Sequence, residues 1–193
     1  CSVVSDSGIG VVNGYVPRTM AQFYAAQSYA RPALGAFSPE RVPDVVVINL
    51  GTNDEGVTPH KEMAVQVRAL IQQVRGTYRT AVPIVWASGM MNAACRPVVD
   101  EVLACLGGEA NRLYSLPLQG DAAGGGGHPG LAGHAANADL LARFLRAKDK
   151  NSLPALPPQF WGWFLYFQLY PTDKYVMIYR IPCPYRHLFS LES

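Results

Sequence analysis

Charged side chains are scarce in this chain: 16 Lys and Arg against 14 Asp and Glu in 193 residues, a net charge of +2. No basic stripe and no acidic run emerges, which excludes the electrostatic footprint of a nucleic-acid or anionic-membrane surface. Cysteine is sparse too. Cys1, Cys95, Cys105 and Cys183 form no C-x-x-C pair and have no histidine at metal-ligand spacing, which argues against a structural zinc site. Scattered thiols remain open as a reading, as do disulfides in a secreted protein. Long apolar runs are missing: the most apolar stretch, Phe160 to Phe167, is about half the roughly 20 residues of a spanning helix. That leaves no transmembrane span. No leader is visible, and its usual place lies upstream of these residues, so the compartment stays open, secretion included. The chain starts at Cys1 rather than Met, which reads as a processed chain or a fragment.

What is present is an alternation. Ser2 to Ser5 is a short strand, and Arg18 to Ala30 a helix with Thr19 and Gln22 at capping-box spacing. Val45-Val46-Val47-Ile48 is an unbroken β-branched run, as expected of a strand buried on both faces of a parallel sheet. Thr58-Pro59 opens a helix with the stripe Met63, Val67, Leu70, Ile71 and Val74, and Gly76 is its expected stop. Further strands fall at Ala81 to Ala87 and Arg112 to Leu118, and further helices follow Pro97 and Pro129. Length and pattern predict one α/β domain over residues 1–148. Beyond it, residues 149–193 form an aromatic, Pro-rich tail with no assigned role.

Two segments carry the chemistry. Asn49-Leu50-Gly51-Thr52-Asn53-Asp54 follows the most buried strand, at the carboxyl edge where ligands of open α/β sheets bind. Taken alone, such a turn also arises from the backbone tolerance of Gly, Asn and Asp. The second is Gly124-Gly125-Gly126-Gly127-His128-Pro129, followed by Gly133-His134. Here a glycine loop delivers a histidine just before a helix. No Lys-Ser/Thr follows the glycines, so a phosphate loop is a weak rival.

Together these segments resemble the SGNH (GDSL-like) hydrolase superfamily, closest in flavour to carbohydrate esterase family 2, which deacetylates polysaccharides. Val45 to Asp54 resembles its Gly-x-Asn-Asp block and His128 to His134 its histidine block. Ser7-Gly8-Ile9-Gly10-Val11-Val12, with Tyr15 and Thr19-Met20, resembles its second block. The resemblance implies a flavodoxin-like three-layer α/β/α fold with a parallel sheet. It also implies a serine esterase that uses no cofactor and acts on acylated carbohydrate or another small ester. By the same resemblance Asn53 and the backbone N–H of Gly8 would form the oxyanion hole, and His128 would be the base. His134, inside the helix, is not expected to be the base.

Two blocks depart from the pattern. Gly-Asp-Ser after a first strand is absent, so the nucleophile is expected outside this chain and the N-terminal strand is expected to be missing. Ser5-Asp6-Ser7 mimics that block, which makes Ser7 the alternative nucleophile. The carboxylate usual two or three residues before the histidine is replaced by Gly125 and Gly126, leaving Asp121 as the nearest orienter of His128. The rival function is a degenerate, non-catalytic carbohydrate-binding domain. In a 2-1-3-4-5 strand order the lost strand would sit between those at Val3 and Val46, leaving two open ladder edges inside the sheet.

Overall fold

The computed structural model describes residues 2–24, 42–78, 81–148 and 175–181. The strands are β1 (Ser2–Ser7), β2 (Val45–Asn49), β3 (Ile84–Ser88), β4 (Leu113–Pro117) and β5 (Tyr175–Ile181). The helices are α1 (Met20–Phe23), α2 (His60–Tyr78), α3 (Arg96–Cys105) and α4 (Leu131–Lys148). β2, β3 and β4 pair in parallel, Val46 opposite Ile84 and Ile84 opposite Leu113.

Alternating side chains of one strand feed two cores. Val46 and Ile48 join Ile84 and Trp86 beneath α1, α2 and α3, against Met63, Leu70, Val98 and Val102. Val45 and Val47 join Val85 and Ala87 on the other face, against Leu141 and Leu145 of α4. These layers make the three-layer α/β/α fold expected from the alternation. Helices on both faces explain why β2 reads as a continuous apolar run. Burying each such side chain is worth about 1.5–3 kcal/mol.

Local signals agree in most places. At α1, Thr19 is the N-cap: its hydroxyl accepts from Gln22 N at 3.4 Å, and the Gln22 side chain accepts from Thr19 N at 2.9 Å. Residues 25–30 of that predicted helix lie outside the described residues. Gly76 does not stop α2, which runs on to Tyr78. Tyr78 lies four residues beyond Val74 and is buried on the same stripe, a gain larger than the roughly 1 kcal/mol a glycine costs in a helix. Pro117 closes β4, an edge strand, where its missing N–H is tolerated.

The sheet order is β1-β5-β2-β3-β4. β5 comes from the tail and lies antiparallel to both neighbours, Ser2 opposite Arg180 on one side and Val45 opposite Ile181 on the other. β1 and β2 are therefore parallel to each other. The interior slot expected to stand open is thus filled by a strand of opposite direction, and both facing ladders find partners.

Candidate active site

Because β1 through β4 run the same way, the loops after them emerge along one edge. Those loops are stitched to one another. Asn53 and Asp54, after β2, bond the loop after β1. Asn92, after β3, donates to Thr52 O at 3.2 Å. Leu118 N and Asp121 N, after β4, donate to Ser88 O and Met90 O at 2.8 and 3.0 Å. A continuous hydrogen-bonded rim joins Gly8 to the histidine loop.

At the first seam the Asn53 amide donates to Ile9 O at 2.8 Å. Its Oδ1 is buried and has no partner among the described residues. Asp54, 4% exposed, accepts from Val11 N, Val12 N and Asn13 N at 2.8, 2.8 and 2.9 Å, and from the Thr58 hydroxyl at 3.3 Å. Gly8, at the end of β1, has a φ of +72°, and its carbonyl accepts from Tyr15 N at 2.8 Å. A Cβ there would come within 2.9 Å of Tyr15 Cβ, so both conformation and space call for glycine. Ser7 is half-buried as the last residue of β1, opposite Tyr175.

At the other end, His128 is half-buried after the short 3₁₀ turn Gly125–Gly127 and precedes α4. Its carbonyl accepts from Gly124 N at 2.7 Å, which closes the glycine loop. Asp121 accepts from Ala123 N at 3.0 Å and Gly130 N at 2.6 Å. Those amides, with the nearby His134 as a lesser influence, hold its carboxyl below the usual carboxylate range. Asp121 thereby ties together the two ends of the loop that carries His128. His134 is buried in α4, and desolvation lowers its pKa; the bond its ring donates to Pro129 O and the Asp121 charge oppose that shift. Sequence reasoning missed Asn137, 1% exposed, which exchanges bonds with Gln119 N and O at 2.7 and 2.9 Å and also donates to Gly133 O. A lone Asn on a helix carries no local mark of that pairing.

Behind the Asn53 turn lies a cavity of about 150 Å³, lined by Gly51, Asp54, Thr58, Met63, Cys95 and Val98 among others, but by neither Asn53 nor His128. Burial, and then the Asp54 charge, push the Cys95 thiol up to about 11. Among the described residues no group of three or more His, Cys, Asp or Glu could hold a metal ion, and no helix is long and apolar enough to cross a membrane.

Two solved structures share this architecture. An acetyl xylan esterase, Est2A, from the rumen bacterium Butyrivibrio proteoclasticus superposes with a TM-score of 0.60 at 20% identity, over 73% of this chain and 49% of its own. The chain shares the fold of that protein. A second carbohydrate esterase, whose active site is described as displaying divergent catalytic and non-catalytic binding functions, also superposes at 0.60. It is 21% identical over 77% of this chain and 52% of its own. In sequence, the chain is 32% identical over 172 residues to the cellulase/esterase CelE of Acetivibrio thermocellus, matching 79% of this chain and 20% of that protein. The chain thus spans a fifth of the curated relative's length and about half of each solved chain. No family model matches it. The shared fold puts the Asn53 turn, the Gly8 loop and the His128 loop on one sheet edge, the edge on which the sequence resemblance rests.

Proposed function

We propose that this chain carries the oxyanion hole and the base of a serine esterase that removes acyl groups, acetyl foremost, from carbohydrate. The observation that supports it best is the clamp of Asn53 and Asp54 on residues 9–13, which draws the Asn53 amide and the Gly8 backbone to one seam. In this reading a serine hydroxyl attacks the ester carbonyl as His128 takes its proton. The oxygen that becomes negative is met by the Asn53 N–H and the Gly8 N–H, and His128 then protonates the departing sugar alcohol. Asp121 serves His128 indirectly, by holding the loop ends. The esterase unit is residues 1–148. The nucleophile belongs on a strand ending in Gly-Asp-Ser in the interior slot, which here holds β5.

The test uses p-nitrophenyl acetate and a serine-reactive fluorophosphonate. The chain alone is expected to show neither turnover nor labelling. A version extended upstream by a strand ending in Gly-Asp-Ser is expected to show both, with the label on the added serine. Stoichiometric labelling at Ser7 in the chain alone would assign the nucleophile to Ser7 instead. The filled slot also favours a second reading, non-catalytic carbohydrate binding. Saturable binding of an oligosaccharide, with no hydrolysis by the extended version, would select it.

A further inference from the structure

Asp54 has no chemical step in the esterase reading, yet its carboxylate is the centre of the Gly8 seam. It accepts from three consecutive backbone amides, Val11, Val12 and Asn13, at 2.8, 2.8 and 2.9 Å. Successive N–H groups converging on one point form an anion cradle, and bonds from N–H to an ionised carboxylate are among the stronger ones available. The carboxylate is 4% exposed, so water cannot stand in for it. At Gly10 a Cβ would run first into the Asn13 carbonyl and then to 2.9 Å from Asp54 Oδ2, so the loop backbone and the carboxylate both leave room only for glycine. Thr58 completes the shell, donating to Asp54 Oδ1 at 3.3 Å and accepting from Asn13 Nδ2 at 2.8 Å.

We infer that Asp54 is the positioning residue of the oxyanion hole, its charge in the Val11–Asn13 cradle setting the conformation in which Gly8 presents its N–H to the acyl oxygen. The inference rests on the ester-hydrolysis reading of Gly8 and Asn53. Asn53 and Asp54 divide the work on one loop: the amide holds Ile9 O, and the carboxylate holds the three N–H groups that follow. Gly8 is tied in from the other side by Tyr15 N, and Gly10 O accepts from Met20 N at 2.9 Å. The carboxylate accepts from three backbone N–H groups and a hydroxyl at once. An amide of the same shape has one acceptor oxygen and turns its NH₂ toward donors, so it cannot fill the cradle. A residue serving the Asp54–Thr58 turn alone would need only its backbone carbonyl, which accepts from Val57 N and Thr58 N.

The experiment uses the ¹⁵N-labelled full chain, with sodium acetate as a stand-in for the reaction's carboxylate product, so no nucleophile is required. In the wild type, acetate is expected to move the Gly8 amide resonance saturably, and the Val11, Val12 and Asn13 amides are expected to lie downfield and exchange slowly. Asp54→Asn should abolish the downfield shifts and weaken acetate at Gly8 roughly tenfold, with the amides of β3 and α3 unmoved. If Asp54→Asn does not fold, Thr58→Val carries the test: it removes one bond to the carboxylate and should weaken acetate roughly two- to threefold. Wild-type affinity for acetate in a folded Asp54→Asn, or in Thr58→Val, would reduce Asp54 to a turn residue and overturn the inference. No Gly8 response in the wild type would instead bring down the oxyanion reading itself, and this inference with it.

Discussion

At Asn53 one amide serves two masters. It donates to Ile9 O, which fixes the loop, and it is the proposed donor to the oxyanion. In the extended, serine-bearing form, Asn53→Ala is therefore expected to lower kcat about 100- to 1,000-fold with KM little changed, because the oxyanion exists only along the reaction. An unchanged kcat would leave the turn a purely structural one. The two histidines should separate in the same form. His128→Ala is expected to abolish turnover, while His134→Ala should leave much of it and lower the melting temperature, since His134 is buried in α4. Equal and complete loss in both variants, each folded by circular dichroism, refutes that ranking. The thiols differ for a comparable reason. At pH 8 iodoacetamide should modify exposed Cys105 and spare Cys95, which is buried with its pKa near 11; peptide mass mapping reads the outcome. At this scale the sequence marked Asn53, Gly8 and His128 as candidates, since each is set off by its neighbours. Asp54 was visible only as the next residue of a turn. Its role depends on amides about 42 positions away, which no local pattern encodes.

Among the elements, α2 offers a clean measurement. Gly76 lies inside this helix, and a Cβ built there meets nothing within 4 Å. Gly76→Ala should stabilise the chain by about 0.5–1 kcal/mol, seen as a rise of roughly 2–4 °C in melting temperature. A fall would mean that the helix does end before Tyr78. Helix α4 predicts a pH response. The His134 pKa is lowered in the folded state, chiefly by burial, so the unfolded chain binds this proton more readily. Stability is then complete above the unfolded value near 6.5 and declines as the pH falls below it. A melting-temperature profile between pH 7.5 and 5 should slope downward, and His134→Gln should flatten it. These boundaries were legible to within a few residues where a cap or a stripe marks them, as at Thr19 and along Met63 to Val74. They failed where burial overrode a local stop signal, as at Gly76 and Tyr78.

For the whole molecule the tail decides most. β5 pairs along both β1 and β2, so removing residues 149–193 from this chain would strip the partners from two interior ladders. A large drop in melting temperature, or aggregation, is the expected result. In the form extended by a strand for that slot, the same deletion should be harmless, since residues 1–148 hold the remaining strand and helix units. A truncated, unextended chain that melts at the full-length temperature would remove β5 from the sheet. By itself the sequence determined the layering and the direction of the core. The unbroken apolar run of Val45 to Ile48, buried at every position, and the 3.6-residue stripes of α2 and α3 are short-range patterns that must be covered in any compact fold. It also determined that Asn53 and His128 each follow a strand, and so face one edge once the strands run parallel. Only the tertiary structure decided that Asp54 grips residues 11–13, that Asp121 closes the histidine loop, and that a distant strand enters the slot beside β1. Each of these is a pairing of backbone groups, and every residue offers the same N–H and C=O. Which ones meet is set by how the chain is brought together.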